Sequence, residues 1–90
     1  MPKRVDNAQQ EIVEALKQCG ASILYLHSLG HGAPDLCVGV GCRNILIEVK
    51  SGESGKLTPS QVEWHTSWRG QVAVCHDVTE ALTVCGIAAR

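Results

Sequence analysis

The chain has 90 residues, with 8 Lys and Arg against 9 Asp and Glu for a formal net charge of -1, and 44% of it is apolar. That composition predicts one globular domain over residues 1–90 and excludes a disordered chain, which combines high charge with few aliphatic residues. It also argues against a binder that relies on a basic surface to release counterions from a polyanion, so any contact with nucleic acid has to come from local positive charge.

A chain of this size buries only roughly 60–65% of the surface its unfolded form exposes, so the core is modest and self-association would add to it. No apolar run approaches the ~18 residues of a membrane span. The opening Met-Pro-Lys-Arg-Val-Asp turns polar at once, unlike a signal peptide. A cytoplasmic location and no membrane partner are expected. The five cysteines, Cys19, Cys37, Cys42, Cys75 and Cys85, are odd in number, form no C-x-x-C pair and fall mostly in apolar segments. They read as small reduced hydrophobes. A zinc site from Cys37, Cys42, His27 and His31 is disfavoured, because the usual zinc-ligand spacing is missing.

In chain order, Ala8, Ile12, Ala15, Leu16 and Cys19 recur at helical spacing and predict a helix over 7–19, capped by Asp6 with Gln9 and stopped by Gly20. Ala21 to Leu26 is a first strand, followed by the glycine-bearing loop 27–32. Pro34 opens a second strand to Val40, and Asn44 to Lys50 is a third. Thr58-Pro-Ser-Gln61 carries a capping residue, a proline at the first position and a glutamine at the third, so it starts a second helix that Gly70 ends. Gln71 to Cys75 is a fourth strand. Asp77 caps a last helix running to about Ala88. The expected class is α/β, in the order helix-β-β-β-helix-β-helix, with a mixed four-stranded sheet flanked by helices.

If Gly41-Cys42 is a two-residue turn, Val40 faces Arg43, Val38 faces Ile45, Leu36 faces Ile47 and Asp35 faces Glu48. Strand side chains alternate. Leu36, Val38, Ile45, Ile47 and Val49 therefore share an apolar face, and Asp35, Glu48 and Lys50 share the other. Two carboxylates placed opposite each other repel and are costly to bury unpaired. A divalent cation gives a reason to keep them, since magnesium takes one or two carboxylates together with waters and phosphate oxygens. Lys50 stands two residues beyond Glu48 on the same face. The three groups resemble a site for metal-assisted phosphodiester hydrolysis.

Asp35 in Gly-Ala-Pro-Asp-Leu, followed by Glu48-Val49-Lys50 in Ile-Glu-Val-Lys-Ser, resembles the PD-(D/E)XK nuclease superfamily with its restriction-endonuclease-like core. With Lys-Leu-Thr-Pro-Ser-Gln and the helix residue Glu11, nearly the whole chain resembles the VRR-Nuc (virus-type replication-repair nuclease) family in its small, stand-alone, phage-like form.

The resemblance implies a DNA repair endonuclease using Mg2+ or Mn2+ and no organic cofactor. Asp35, Glu48 and the Val49 carbonyl would ligate the metal, with Glu11 contributing directly or through water. Lys50 would orient or activate the attacking water, with Gln61 beside it. Glu11 lies at the edge of its helix's apolar stripe, whereas Glu14 points nearly opposite the core. Gln61 is equally the residue a capping box requires. Small members of the family resemble Holliday junction resolvases, which implies branched DNA as partner and a homodimer. A flap- or branch-specific repair nuclease, and a non-catalytic binding or interaction module, stay open as alternatives.

His27, His31, Lys56 and Arg43 are candidate DNA contacts, and Lys3, Arg4 and Arg69 candidate backbone contacts; phosphate contacts position without reading sequence. His65 and His76 read as structural or surface residues. Trp64 and Trp68, one helical turn apart, read as core or subunit interface, with base stacking as the competing role. One bound divalent ion would raise the formal total from -1 to +1 and be the largest local charge in the site.

Overall fold

In a computed structural model, which describes residues 4–51 and 55–87 with side chains from Ala8 onward, seven regular elements follow the expected order. Helix α1 spans Arg4–Gln18. Its stripe buries Ile12, Val13 and Leu16. Gly20, at φ 90°, ends it as the sequence predicts: its N–H reaches the Lys17 carbonyl and the Ala21 N–H that of Leu16, both at 3.0 Å. The start differs from expectation. The helix begins at Arg4, so Asp6 lies within its first turn and is not the cap.

Strands β1 (Ser22–Tyr25), β2 (Leu36–Val40), β3 (Arg43–Val49) and β4 (Val72–Cys75) form one sheet in the order β1-β2-β3-β4. The first three pair antiparallel, and β4 runs parallel to β3. A parallel pair needs a crossover, and the segment carrying helix α2 (Pro59–Ser67) supplies it. A single 3-10 turn, His27–Leu29, interrupts the loop between β1 and β2.

The hairpin register is the one counted from the sequence, with Val40 opposite Arg43, Val38 opposite Ile45 and Leu36 opposite Ile47. Gly41 and Cys42 both have positive φ, 58° and 62°, the requirement of a type I′ turn whose twist matches the strands. The apolar face is sealed: Leu36, Val38, Ile45 and Ile47 are fully buried and join α1 residues and Ala81 and Cys85 in one core.

Helix α3 spans Val78–Val84, and its Asp77 cap accepts from the Glu80 N–H at 2.8 Å. It stops earlier than expected. Gly86, at φ 74°, closes it with the Ile87 N–H on the Leu82 carbonyl, and Ala88 lies outside the described residues. Helix α2 likewise ends at Ser67, before Gly70. Gly70 serves the neighbouring indole instead, because a β-carbon there would stand 2.9 Å from Nε1 of Trp68.

All five cysteines are free. Cys75 and Cys85 are buried, and burial pushes the Cys75 thiol up to about 12, so it stays protonated and packs as a hydrophobe. Among the described residues, no helix is long and apolar enough to cross a membrane.

Candidate active site

The observed register ends at the Leu36–Ile47 pair, and Asp35, the residue just before β2, lies near Glu48 at the end of the hairpin away from its turn. Asp35 is held from several sides. Pro34 before it is fully buried, its carbonyl accepts from the Leu26 N–H at 2.7 Å, and its Oδ2 accepts from the Val49 N–H at 2.8 Å. In a strand the N–H and C=O of one residue point the same way, so the Val49 carbonyl is also directed to the Asp35 side of β3. The Lys50 N–H goes the other way, to Cys75 of β4.

Glu48 is only 2% exposed. Its Oε2 accepts from Nε2 of Gln61 at 3.0 Å and lies 3.8 Å from Nζ of Lys50. Its Oε1 is buried with no hydrogen-bond partner. Burial first, and then the nearby Asp35 carboxyl, push the Glu48 carboxyl up to about 7, with Lys50 only partly opposing them. A buried oxygen without a donor, beside a second carboxylate, is what an oxygen-seeking divalent cation would satisfy. The donor set fits magnesium or manganese, which need few protein ligands.

Gln61 makes two sets of contacts, one within its own helix start and one to Glu48. Its Oε1 accepts from the Thr58 N–H at 2.9 Å while the Thr58 hydroxyl accepts from the Gln61 N–H at 3.3 Å, completing a capping box. Its Nε2 is left for Glu48. The cap thus fixes the start of α2 against the carboxylate face.

The other expected site residues stand on other elements or, for Arg43, at the start of β3. Glu11 is exposed on α1, whose buried residues join the core on the apolar face of the sheet. Among the described residues, no three His, Cys, Asp or Glu side chains converge to hold a metal ion. Glu11 is therefore not grouped with Asp35 and Glu48 as a third direct ligand. Arg43 lies about 17 Å along β3 from Glu48 and donates to the Cys85 carbonyl at 2.7 Å, which ties down the end of α3. His27, His31 and Lys56 are exposed, and His31 alone of these three faces α2 across a cleft. Lys3 and the Arg4 side chain lie outside the described residues. Arg69 is exposed beyond α2. The tryptophans are not core: Trp64 is half-buried, Trp68 is 45% exposed, and their rings stack at 4.6 Å.

Two residues near the site were not singled out from the sequence. Nε2 of His65 and Oγ of Ser51 are buried without partners, as is Oε1 of Glu48. Burial lowers the His65 imidazole below its ordinary range, and the charge of Lys50 adds to this. The sequence does carry a signal for His65, which sits four residues after Gln61 and so on the same side of α2. For Ser51 the only signal is adjacency to Lys50.

No family model and no curated protein matches the sequence. A solved structure described as a VRR_NUC domain does match, with a TM-score of 0.76 and 24% sequence identity, over 92% of this chain and 95% of that one. Element order, mixed sheet and flanking helices agree with it, and the chain has the fold of a VRR_NUC domain.

Proposed function

We propose that this protein is a metal-dependent endonuclease that hydrolyses phosphodiester bonds in structured DNA, with its reaction centre at the Asp35–Glu48–Lys50 face. The observation that carries the reading is the buried, unpartnered Oε1 of Glu48 beside Asp35. The likeness to a VRR_NUC domain supports it. Asp35, Glu48 and the Val49 carbonyl would hold the cation, with Glu11 reaching it only through water. When bound, the ion would polarise the scissile phosphate and acidify a water. Gln61 and Lys50 both engage Oε2 of Glu48, which leaves Oε1 as the oxygen free to bind. Lys50, still partly exposed, places the attacking water and offsets the charge that develops on the phosphate.

A Holliday junction suits this reading if the chain is a homodimer. One copy has a radius of gyration of 12.5 Å and reaches one strand, whereas two symmetric cuts need a twofold pair. Strand β1 lies at the sheet edge and exposes Leu24 and Tyr25, with Leu29 exposed just beyond; this apolar edge is where a second copy would add burial.

The test is a cleavage panel of junction, flap and linear duplex with and without Mg2+ or Mn2+, run on a preparation sized by light scattering. Metal-dependent nicking should fall on the order of 10³-fold in folded Asp35→Ala, Glu48→Ala and Lys50→Ala variants. Full activity in all three would overturn the reading. A monomer at micromolar concentration would remove the junction and leave the flap or branch substrate.

A further inference from the structure

A second concavity opens beside the carboxylates. This cleft of about 390 Å3 lies between the loop preceding Asp35 and α2, lined by His31, Ser60, Glu63, Trp64 and Ser67. Loop and helix are in backbone contact: a β-carbon on Gly32 would collide with the Ser60 carbonyl. His31, between two glycines, holds φ 57°, a left-handed conformation unfavourable for a residue with a β-carbon. Helix α2 is itself anchored on Glu48 through Gln61. Gln61, Trp64 and Trp68 follow at helical spacing, so the cleft starts within about 5–10 Å of the carboxylates along the helix axis.

The lining selects its occupant by charge. Among the described residues it is lined by no lysine or arginine and by one carboxylate, Glu63, so a phosphate would be repelled. The Ser67 hydroxyl donates to the Trp64 carbonyl at 3.1 Å, which leaves only its lone pairs for a ligand. Trp64 offers an aromatic wall, stiffened by Trp68 stacked on it at 4.6 Å and 17°. A flat, neutral group that donates N–H bonds at its edge fits these terms.

We infer that the cleft receives an unpaired nucleobase of the DNA held at the carboxylate site, with its ring against Trp64 and its exocyclic amino group toward Glu63. This rests on the nuclease reading and narrows it to DNA with an unpaired nucleotide next to the scissile phosphate. A base inside a duplex is stacked on both sides and does not enter. Thymine, which has no exocyclic amino group, binds less well than cytosine or adenine.

Of the two tryptophans of the chain, Trp64 lines this cleft and Trp68 is stacked on it, so intrinsic fluorescence reports on it. Duplexes carrying a single bulged cytosine, a bulged thymine, an abasic bulge or no bulge are titrated without divalent metal, with anisotropy of labelled DNA read in parallel. The cytosine bulge should quench the tryptophans and bind roughly tenfold tighter than the abasic bulge. Trp64→Leu should erase that difference while keeping the affinity for abasic DNA. Glu63→Gln, at an exposed position, should remove the cytosine-over-thymine preference and keeps the test decisive if Trp64→Leu does not fold. DNA that binds with equal affinity and no quenching whether or not the bulged base is present overturns the cleft assignment and leaves the nuclease reading standing. Failure to bind any of these DNAs without metal overturns the cleft assignment, and the metal-dependent cleavage panel alone then decides the nuclease reading.

Discussion

The two faces of the β2–β3 hairpin are made from the same strands and differ by one residue of phase. On one face Leu36, Val38, Ile45 and Ile47 are fully buried, each contributing roughly 1.5–3 kcal/mol by leaving water. On the other, Glu48 is nearly as buried as those four, yet its carboxyl is pushed up to about 7 by that burial and by Asp35. The burial that stabilises an isoleucine therefore costs a carboxylate. The contrast teaches that the polar face is not simply an outer surface that happens to carry charge: at Glu48 it is as enclosed as the apolar one, with a buried carboxylate oxygen that no hydrogen bond reaches.

The largest break in this contrast is expected on the apolar side. Ile47→Ala should lower stability by about 2–5 kcal/mol, read by denaturant unfolding, and should leave the pH dependence of stability unchanged. A loss below about 1 kcal/mol would mean that this face is loosely packed and the two sides are not opposites. On the polar side the neighbouring residue should respond with the other sign. Folded, Glu48 keeps its proton up to about pH 7, against 4.5 for the ordinary group. Between those values the folded form binds more protons, so the contribution of Glu48 to stability falls as pH rises and is fully lost above about pH 7. Glu48→Gln should therefore match the wild type near pH 4.5 and exceed it at pH 8, by on the order of 1–3 kcal/mol. Magnesium should raise the wild-type Tm at pH 8 and not near pH 4.5, because ion and proton compete for one carboxylate. A wild type more stable than Glu48→Gln at pH 8 without metal would contradict the reading.

Much of this contrast is legible in the sequence, for a physical reason: strand alternation has a period of two, and any even turn conserves it, so the pairing of Asp35 with Glu48 follows from counting. Helix wheels carry less. The wheel places Glu11 at the edge of its stripe but does not say which face of the sheet the helix covers, and α1 packs with the apolar one. The start of α1 and the end of α3 differ from the sequence reading because local capping signals compete: Asp6 and Gln9 resemble a cap inside a helix that starts earlier, and Gly86 ends α3 before the apolar pattern does. The cleft at Trp64 is invisible to local reading. It exists because Gly32 lets a loop touch Ser60, a contact between residues far apart in the chain.

The smallest effect is expected at the one place that serves both faces. The Gly41-Cys42 turn sets the register, and through it decides which side chains are core and which are site. Cys42 holds φ 62°, a conformation that costs a non-glycine residue about 1–2 kcal/mol, part of which glycine would give back through its looser unfolded chain. Cys42→Gly should raise stability by roughly 0.5–1 kcal/mol and leave both the Glu48 pH response and metal-dependent cleavage where they are, because the turn acts on the two faces only through its length. A single residue inserted there would exchange the faces, turning Ile47 outward and Glu48 toward the core. A stabilised Cys42→Gly variant with an altered Glu48 response would show that the turn does more than count.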